Sequence, residues 1–408
     1  MDPGSFRENR RRLAASLPDG ALAVIATGRH PVTCGPDSAA PWPDFFYLTG
    51  QHAPQMALIV EQSGRAILFT PARDARSAVW DGPAANDHDD IADVRPIGEF
   101  ETVLRALACQ AGTLFVHAAE NPFAPQDDHA LADLCRRLLP LHPMDRLAPL
   151  LGRLRADKHP AEIESIRAAN SLAANAFRRA IGFVRPGIRG FEVKAEFLHE
   201  ITRHGSAGFC CPAITAAGRE TLALHWRGDR RAWSGDEPAL LDFTVESNGH
   251  CADIARCLPV SGKFTPRQRT VYDAVLRAQH HATAALRPGR LLSECQRDVE
   301  LFIQHELLRM GLLKSGDVKD PSVPSPALRG FFMHQAFHHL GLEVHDPVPA
   351  GVPLAAGQVL AVEPGIYVHS EGFGVRLENN VLVTAHGPEV LTTGLPLEAE
   401  AIEDLLQL

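Results

Sequence analysis

Over the first 150 residues the apolar positions come in short runs separated by turn residues, and the runs have the length of strands. Leu22–Thr27, Ala57–Val60, Ala66–Thr70 and Leu114–His117 read as strands, and Phe100–Cys109 as a helix. Asn121–Asp128 is loop-like, and Asp128–Leu139 has an amphipathic helical period. The alternation of short strands and helices predicts an α/β domain. A hinge-like passage over Leu150–Pro160 follows, and Pro160 opens a helix at its favoured first position, with Glu162 and Glu164 in the turn where the helix dipole favours negative charge. The expected domains are therefore 1–152 and 153–408. In the second, helices are predicted over 161–183, 190–205, 266–286 and 293–310, the last with Gly311 as its C-terminal stop, and strands over most of 331–385. Two helices then a hairpin, followed by two helices then strands, is a rough internal echo, without a sequence repeat of fixed period.

Composition narrows the function. With 408 residues, 45% hydrophobic and 22% charged, the chain has the make-up of a globular protein of two domains. A net charge of −9 argues against nucleic acid and anionic membrane as partners. Arg7, Arg10, Arg11 and Arg12 mimic a signal sequence's basic start, but Pro18 and Asp19 interrupt before a long apolar run forms, so no secretory signal or bilayer span is expected and the location is expected to be cytoplasmic. Eight cysteines include no CxxC pair, and reduced thiols are expected; Cys251, two residues before Asp253, is a conceivable soft ligand.

The chemistry gathers in the C-terminal third. The run from Ala239 to Arg256 reads as a hairpin turning at Asn248-Gly249, which sets Thr244 opposite Asp253 and puts Asp242 on the same face, diagonal to Asp253. Two such carboxylates are either surface acids or partners of a cation. Glu363 and Glu378 interrupt apolar strand sequence, where burial requires a partner; Arg376, two residues before Glu378, is one candidate and a cation another. Four histidines, His334, His338, His339 and His345, fall within twelve residues, which suggests ligation or proton transfer. Asp242, Asp253, His338, Glu363 and Glu378 together make a hard, oxygen-rich set suited to divalent Mn, Co or Zn.

These motifs resemble the pita-bread metallopeptidases, and within them aminopeptidase P and prolidase. The matching stretches are Leu241-Asp242 with Asp253-Ile254-Ala255-Arg256, His338-His339 through His345-Asp346, Val362-Glu363-Pro364-Gly365, and Val375-Arg376-Leu377-Glu378-Asn379; Asp44 to Gly50, Leu68 to Asp74 and Trp80-Asp81-Gly82 resemble the N-terminal domain that aminopeptidase P carries. The resemblance implies a C-terminal pita-bread (creatinase/aminopeptidase) fold after the N-terminal α/β domain, and two divalent ions per subunit, Mn2+ foremost, with Zn2+ or Co2+ as alternatives. It assigns Asp242, Asp253 and Glu378 to one ion, His338 and Glu363 to the other, with Asp253 and Glu378 bridging. A shared hydroxide would attack the carbonyl before proline, Glu363 acting as general base and His345 steadying the tetrahedral oxyanion. His225 and His334 would face the substrate, with Arg376 and Tyr367 near the proline pocket, and Trp80 would reach a neighbouring subunit of a homo-oligomer (dimer or tetramer). The implied activity is release of the N-terminal residue from proline-containing peptides with proline second; the alternatives are a strict Xaa-Pro dipeptidase, an inactive pita-bread binding module and a creatinase-like hydrolase without metal. Relatives usually carry glycine at Thr244, threonine at Ala255, a small residue at Gln335, and an arginine in the loop where this chain has Pro347 to Gly351.

Overall fold

A computed structural model describes residues 3–28, 42–71, 79, 90–118 and 130–407. Its chain divides into two compact units. One comprises the described residues up to Arg155 together with Pro347–Pro349, the other Ala156–Asp346 and Ala350–Leu408.

The first unit is built on a six-stranded mixed sheet. Its strands are β1 (Leu22–Ala26), β2 (Ala57–Glu61), β3 (Ala66–Thr70), β4 (Asp93–Pro96), β5 (Leu114–Val116) and β6 (Met144–Arg146), in the order β4-β3-β2-β1-β5-β6. The central β1, β2 and β3 run antiparallel, while β4, β5 and β6 join in parallel. The core packs Val24, Ile59, Ile67 and Phe69 against Phe100 and Leu104 of the helix Phe100–Ala108 and Cys135 of the helix Ala130–Leu138. The expected loop Asn121–Asp128 lies outside the described residues. The expected hinge is largely helical: Ala148–Ala156 is a helix burying Leu151, and only Asp157–His159 separate it from Pro160. Asp44, in the short helix Pro43–Thr49, is held by Arg155 Nη1 and His117 Nε2, each at 2.7 Å.

The second unit opens with the helix Pro160–Ile181, where His159 donates its backbone N–H to the Glu162 carboxylate at 3.1 Å. Ile166, Ala169, Ala173, Phe177 and Ala180 recur at helical spacing and are fully buried. The helix ends at Ile181, short of the expected 183, and Phe183 beyond it is partly exposed. Phe197, from the helix Gly190–Arg203, packs with Phe177, Phe209 and Phe243, with ring centroids 4.3–5.7 Å apart in these pairs. Phe243 belongs to a three-stranded antiparallel sheet of β7 (Ile214–Ala217), β8 (Pro238–Ser247) and β9 (His250–Pro259). The turn between β8 and β9 has Asn248 at φ 52° and Gly249 at φ 83°, the left-handed pair a two-residue hairpin needs, and the register sets Thr244 opposite Asp253 and Asp242 opposite Ala255.

The helices Pro266–Ala285 and Leu292–Arg309 form a second layer. Val271, Val275, Ala278, Val299 and Ile303 from this pair share a core with Leu360, Val362, Ile366, Val375 and Val381. Those last residues come from β11 (Val359–Val362), β12 (Gly365–Val368), β13 (Phe373–Arg376) and β14 (Asn379–Thr384). With β10 (Phe337–His339) and β15 (Gly387–Val390) they make a four-stranded sheet, β10-β11-β14-β15, and a separate β12-β13 hairpin. Two helix pairs and two sets of strands realise the internal echo of the sequence in a pita-bread architecture. Residues 340–358 contain no strand, so the expected strand-rich stretch is interrupted there by a long loop. No helix among the described residues is long and apolar enough to cross a membrane.

Candidate metal centre

Strands from both halves of the second unit bring the acidic residues together. Asp253 extends from the middle of β9, a strand buried along its whole length. Its backbone is clamped by Asn380 of β14, whose side chain accepts from Asp253 N–H at 3.0 Å and donates to Asp253 O at 2.6 Å. Glu378 sits where the chain passes from β13 to β14, its N–H donating to Ala255 O at 3.0 Å. Glu363 follows β11 and donates its N–H to Ala336 O at 2.9 Å. His338 projects from β10, with Nδ1 against Val344 O at 2.8 Å; that carbonyl makes Nδ1 the protonated nitrogen and turns Nε2 to the carboxylates.

Nε2 of His338 is 3.6 Å from Glu378 Oε1, 3.7 Å from Asp253 Oδ2 and 3.8 Å from Glu363 Oε1. Ligand atoms of Asp253, His338 and Glu378 all lie within 4.8 Å of one another. Burial and the neighbouring negative charges push the carboxyls of Asp253 and Glu378 well above the ordinary range; burial also pushes Glu363 up. Asp253 Oδ1 and Glu378 Oε1 are buried without a hydrogen-bond partner. Two carboxylates with an unpaired buried oxygen each, beside an imidazole nitrogen, are a donor set that suits a divalent cation. Asp242 is not one of this trio; Arg376 Nη2 hydrogen-bonds its Oδ2. Arg376 thus pairs with Asp242 across the sheets, while its Nε lies 4.0 Å from Glu363 Oε2.

The remaining expected residues border the cluster. His345 stacks obliquely on His338 with centroids 4.4 Å apart, and burial, with the neighbouring His338, lowers its pKa to about 4. Tyr367 Oη joins His334 Nε2 at 2.9 Å and Arg376 Nη1 at 3.0 Å. Burial and the Arg376 charge bring His334 down to about 3. His225 is exposed, and desolvation with the charges of Arg376 and Arg227 lowers its pKa. Trp80 lies outside the described residues. Thr244 hydrogen-bonds the backbone of Cys211 in both directions (2.8 and 3.2 Å), so its hydroxyl secures a loop. Cys251 directs Sγ toward Leu342 O at 3.6 Å within an apolar cluster that includes Leu340 and Val344.

Sequence reasoning gave Asn380 no role, although two consecutive asparagines in an apolar strand were a usable signal. Arg256 is the other omission. Fully buried, it donates to the carbonyls of Ala255, Glu378, Leu395 and Pro396 and to Asn379 Oδ1, and burial lowers it to about 10. It ties β9 to the segment carrying Glu378.

A pita-bread unit with buried, clustered carboxylates and histidines defines the class as metal-dependent hydrolases. Residues 164–385 match metallopeptidase family M24, and residues 6–115 match the aminopeptidase P N-terminal domain. The chain belongs to metallopeptidase family M24. It is 31% identical over 432 residues to the Xaa-Pro aminopeptidase of Escherichia coli (strain K12), covering 98% of this chain and 97% of that protein. Identity to the Xaa-Pro aminopeptidase of Haemophilus influenzae is 32% over 427 residues, with 98% and 96% covered. The solved structure of aminopeptidase P from E. coli with the inhibitor Pro-Leu superposes with a TM-score of 0.87 at 28% identity, covering 100% of this chain and 98% of that one.

Proposed function

We propose that this protein is an Xaa-Pro aminopeptidase, a metal-dependent hydrolase that releases the N-terminal residue from peptides with proline in second position. The observation that carries the reading is the set of orphaned carboxylate oxygens of Asp253 and Glu378 beside His338. Similarity to Xaa-Pro aminopeptidases over nearly the whole chain supports the substrate class. In this reading two divalent ions, Mn2+ foremost, are held by Asp242, Asp253, His338, Glu363 and Glu378. Arg376 engages Oδ2 of Asp242, leaving Oδ1 for an ion. Bound cations supply Lewis acidity and lower the pKa of water toward neutrality.

The side chains do the rest. Glu363, its proton affinity raised by burial, takes the proton of the attacking water. His345, uncharged at neutral pH, donates a hydrogen bond to the oxygen on which negative charge develops. His225 and the His334–Tyr367–Arg376 chain orient the peptide and the proline ring. The domains act as residues 1–152 and 153–408 of a cytoplasmic homo-oligomer, with Trp80 serving a neighbouring subunit's site.

The test is to strip the protein of metal, reload it with Mn2+, and offer Xaa-Pro dipeptides and Xaa-Pro-Xaa tripeptides side by side. Mn2+-dependent cleavage of the tripeptide before proline is expected. Cleavage of the dipeptide alone would make it a strict dipeptidase, and cleavage of neither with Mn2+ bound would make it a binding module.

A further inference from the structure

Between His338 and His345 the chain forms a tight loop, and a buried ion pair closes it. Lys158, two residues before the helix Pro160–Ile181, donates its backbone N–H to Gly357 O at 3.2 Å, and its Nζ lies 3.1 Å from Asp346 Oδ2, with both side chains 1% exposed. Asp346 directly follows His345. Its N–H donates to His339 O at 2.9 Å, and its Oδ1 accepts from Glu343 N–H at 3.3 Å. Its carboxylate also lies against Gly341, where a β-carbon would come within 2.5 Å of Oδ2, so the close approach requires glycine. Asp346 therefore joins the start of the loop through its backbone N–H and the middle through its carboxylate, and a carboxylate buried this deeply is costly without a cation against it.

What the loop delivers is all at the centre. Val344 O, within it, holds His338 Nδ1 at 2.8 Å and so sets the direction of Nε2. His345 stands 4.4 Å from the His338 ring, centroid to centroid. Gly341 O accepts from Cys251 N–H at 2.8 Å, which joins the loop to β9 two residues before Asp253.

Resting on the roles of His338 and His345 given above, we propose that Lys158 is a positioning residue of this hydrolase: through Asp346 it holds loop 341–346 so that Val344 O aims His338 and His345 stays beside it. Partners of metal-binding histidines set ring orientation, and their loss costs about 10–100-fold in metal affinity or activity.

The full-length wild type, Lys158→Met and Lys158→Arg are stripped of metal and titrated with Co2+, followed by calorimetry and by the visible absorption of the ion. The same proteins are then assayed on an Xaa-Pro-Xaa tripeptide. Lys158→Met is expected to bind Co2+ about 10–100-fold more weakly, to shift its absorption band, and to lose kcat by a similar factor with KM nearly unchanged. Lys158→Arg, which keeps the charge, is expected to recover part of kcat. Should Lys158→Met fail to fold, Asp346→Asn, of equal size and retaining an acceptor for Glu343, is read by the same titration. Unchanged Co2+ affinity and spectrum in the folded variant overturn the positioning role. A wild type that binds Co2+ normally yet leaves the tripeptide intact overturns the peptidase reading instead, and the Co2+ titration still decides the role of Lys158.

Discussion

Replacing Asp253 by Asn takes one negative charge out of a centre that is repulsive without a cation. Ligand atoms of Asp253 and Glu378 lie within 4.8 Å of each other. At that separation two carboxylates repel by about 3.5 kcal/mol at an effective dielectric of about 20. Protonation caps the penalty: keeping neutral at pH 7 a carboxyl whose unfolded pKa is about 3.9 costs about 4 kcal/mol. The two bounds agree, so the metal-free protein forfeits about 3–4 kcal/mol at this pair. Asn removes the charge but stays buried and polar, so metal-free Asp253→Asn should exceed metal-free wild type by about 1–3 kcal/mol, roughly 2–12 °C in the transition of the catalytic unit. With Mn2+ the order reverses. At a metal concentration about a thousandfold above Kd the wild type gains about 4.1 kcal/mol, whereas the variant gains little and shows no turnover. Differential scanning calorimetry with EDTA and with Mn2+, alongside the tripeptide assay, measures both. A metal-free variant that melts below metal-free wild type, or one whose Mn2+ shift equals the wild type's, refutes the reasoning.

His345→Ala should lower kcat by about 10²–10³-fold while keeping the Mn2+-induced stabilisation, as loss of an oxyanion donor does; steady-state kinetics beside the melting curves check this, and an unaltered kcat would remove His345 from the reaction. In the first unit burial alone would raise the Asp44 carboxyl, but the Arg155 charge and the hydrogen bonds of His117 and Arg155 outweigh it and hold the pKa well below the usual range. A depressed folded pKa stabilises above the unfolded value and loses that stabilisation as pH falls toward the folded one. Asp44→Asn should therefore cost about 3 kcal/mol at neutral pH, with the gap to wild type narrowing below about pH 4; a gap that stays constant from pH 7 to pH 3 in denaturant titrations would contradict this.

The parts legible in the sequence were those with a local signature. Asn248-Gly249 fixes a turn type, and the turn fixes the register that faces Thr244 with Asp253. The long helices announce themselves by apolar spacing and by Pro160 and Pro266 at their starts. Strands β4 and β6 gave no such sign: four and three residues long, partly exposed and rich in charge, they are defined by their neighbours in the sheet. The helix Pro43–Thr49 was hidden for the opposite reason, since Phe45 to Thr49 are all buried and leave no polar face. At the centre, the candidate donors were singled out by carboxylates placed expensively in apolar strands together with the family's motifs. Their partners could not. Arg376 lies two positions from Glu378 yet bonds Asp242, 134 residues away, and Lys158 meets Asp346 across 188. Such pairs exist only through packing, and no periodicity records them.

The placement of the five candidate donors on β8, β9, β10 and the chain around β11 to β14 bears on how the protein is made. A chain growing on the ribosome carries Asp242 and Asp253 long before Glu378 is translated. Arg256 has no Glu378, Leu395 or Pro396 carbonyl to hold until that late segment emerges, and Asp253 has no Asn380 to clamp its backbone. The centre therefore cannot form before Glu378 and Asn380 have been translated, and a chain that stops short of them lacks side chains that the proposed metal centre and its backbone clamp require.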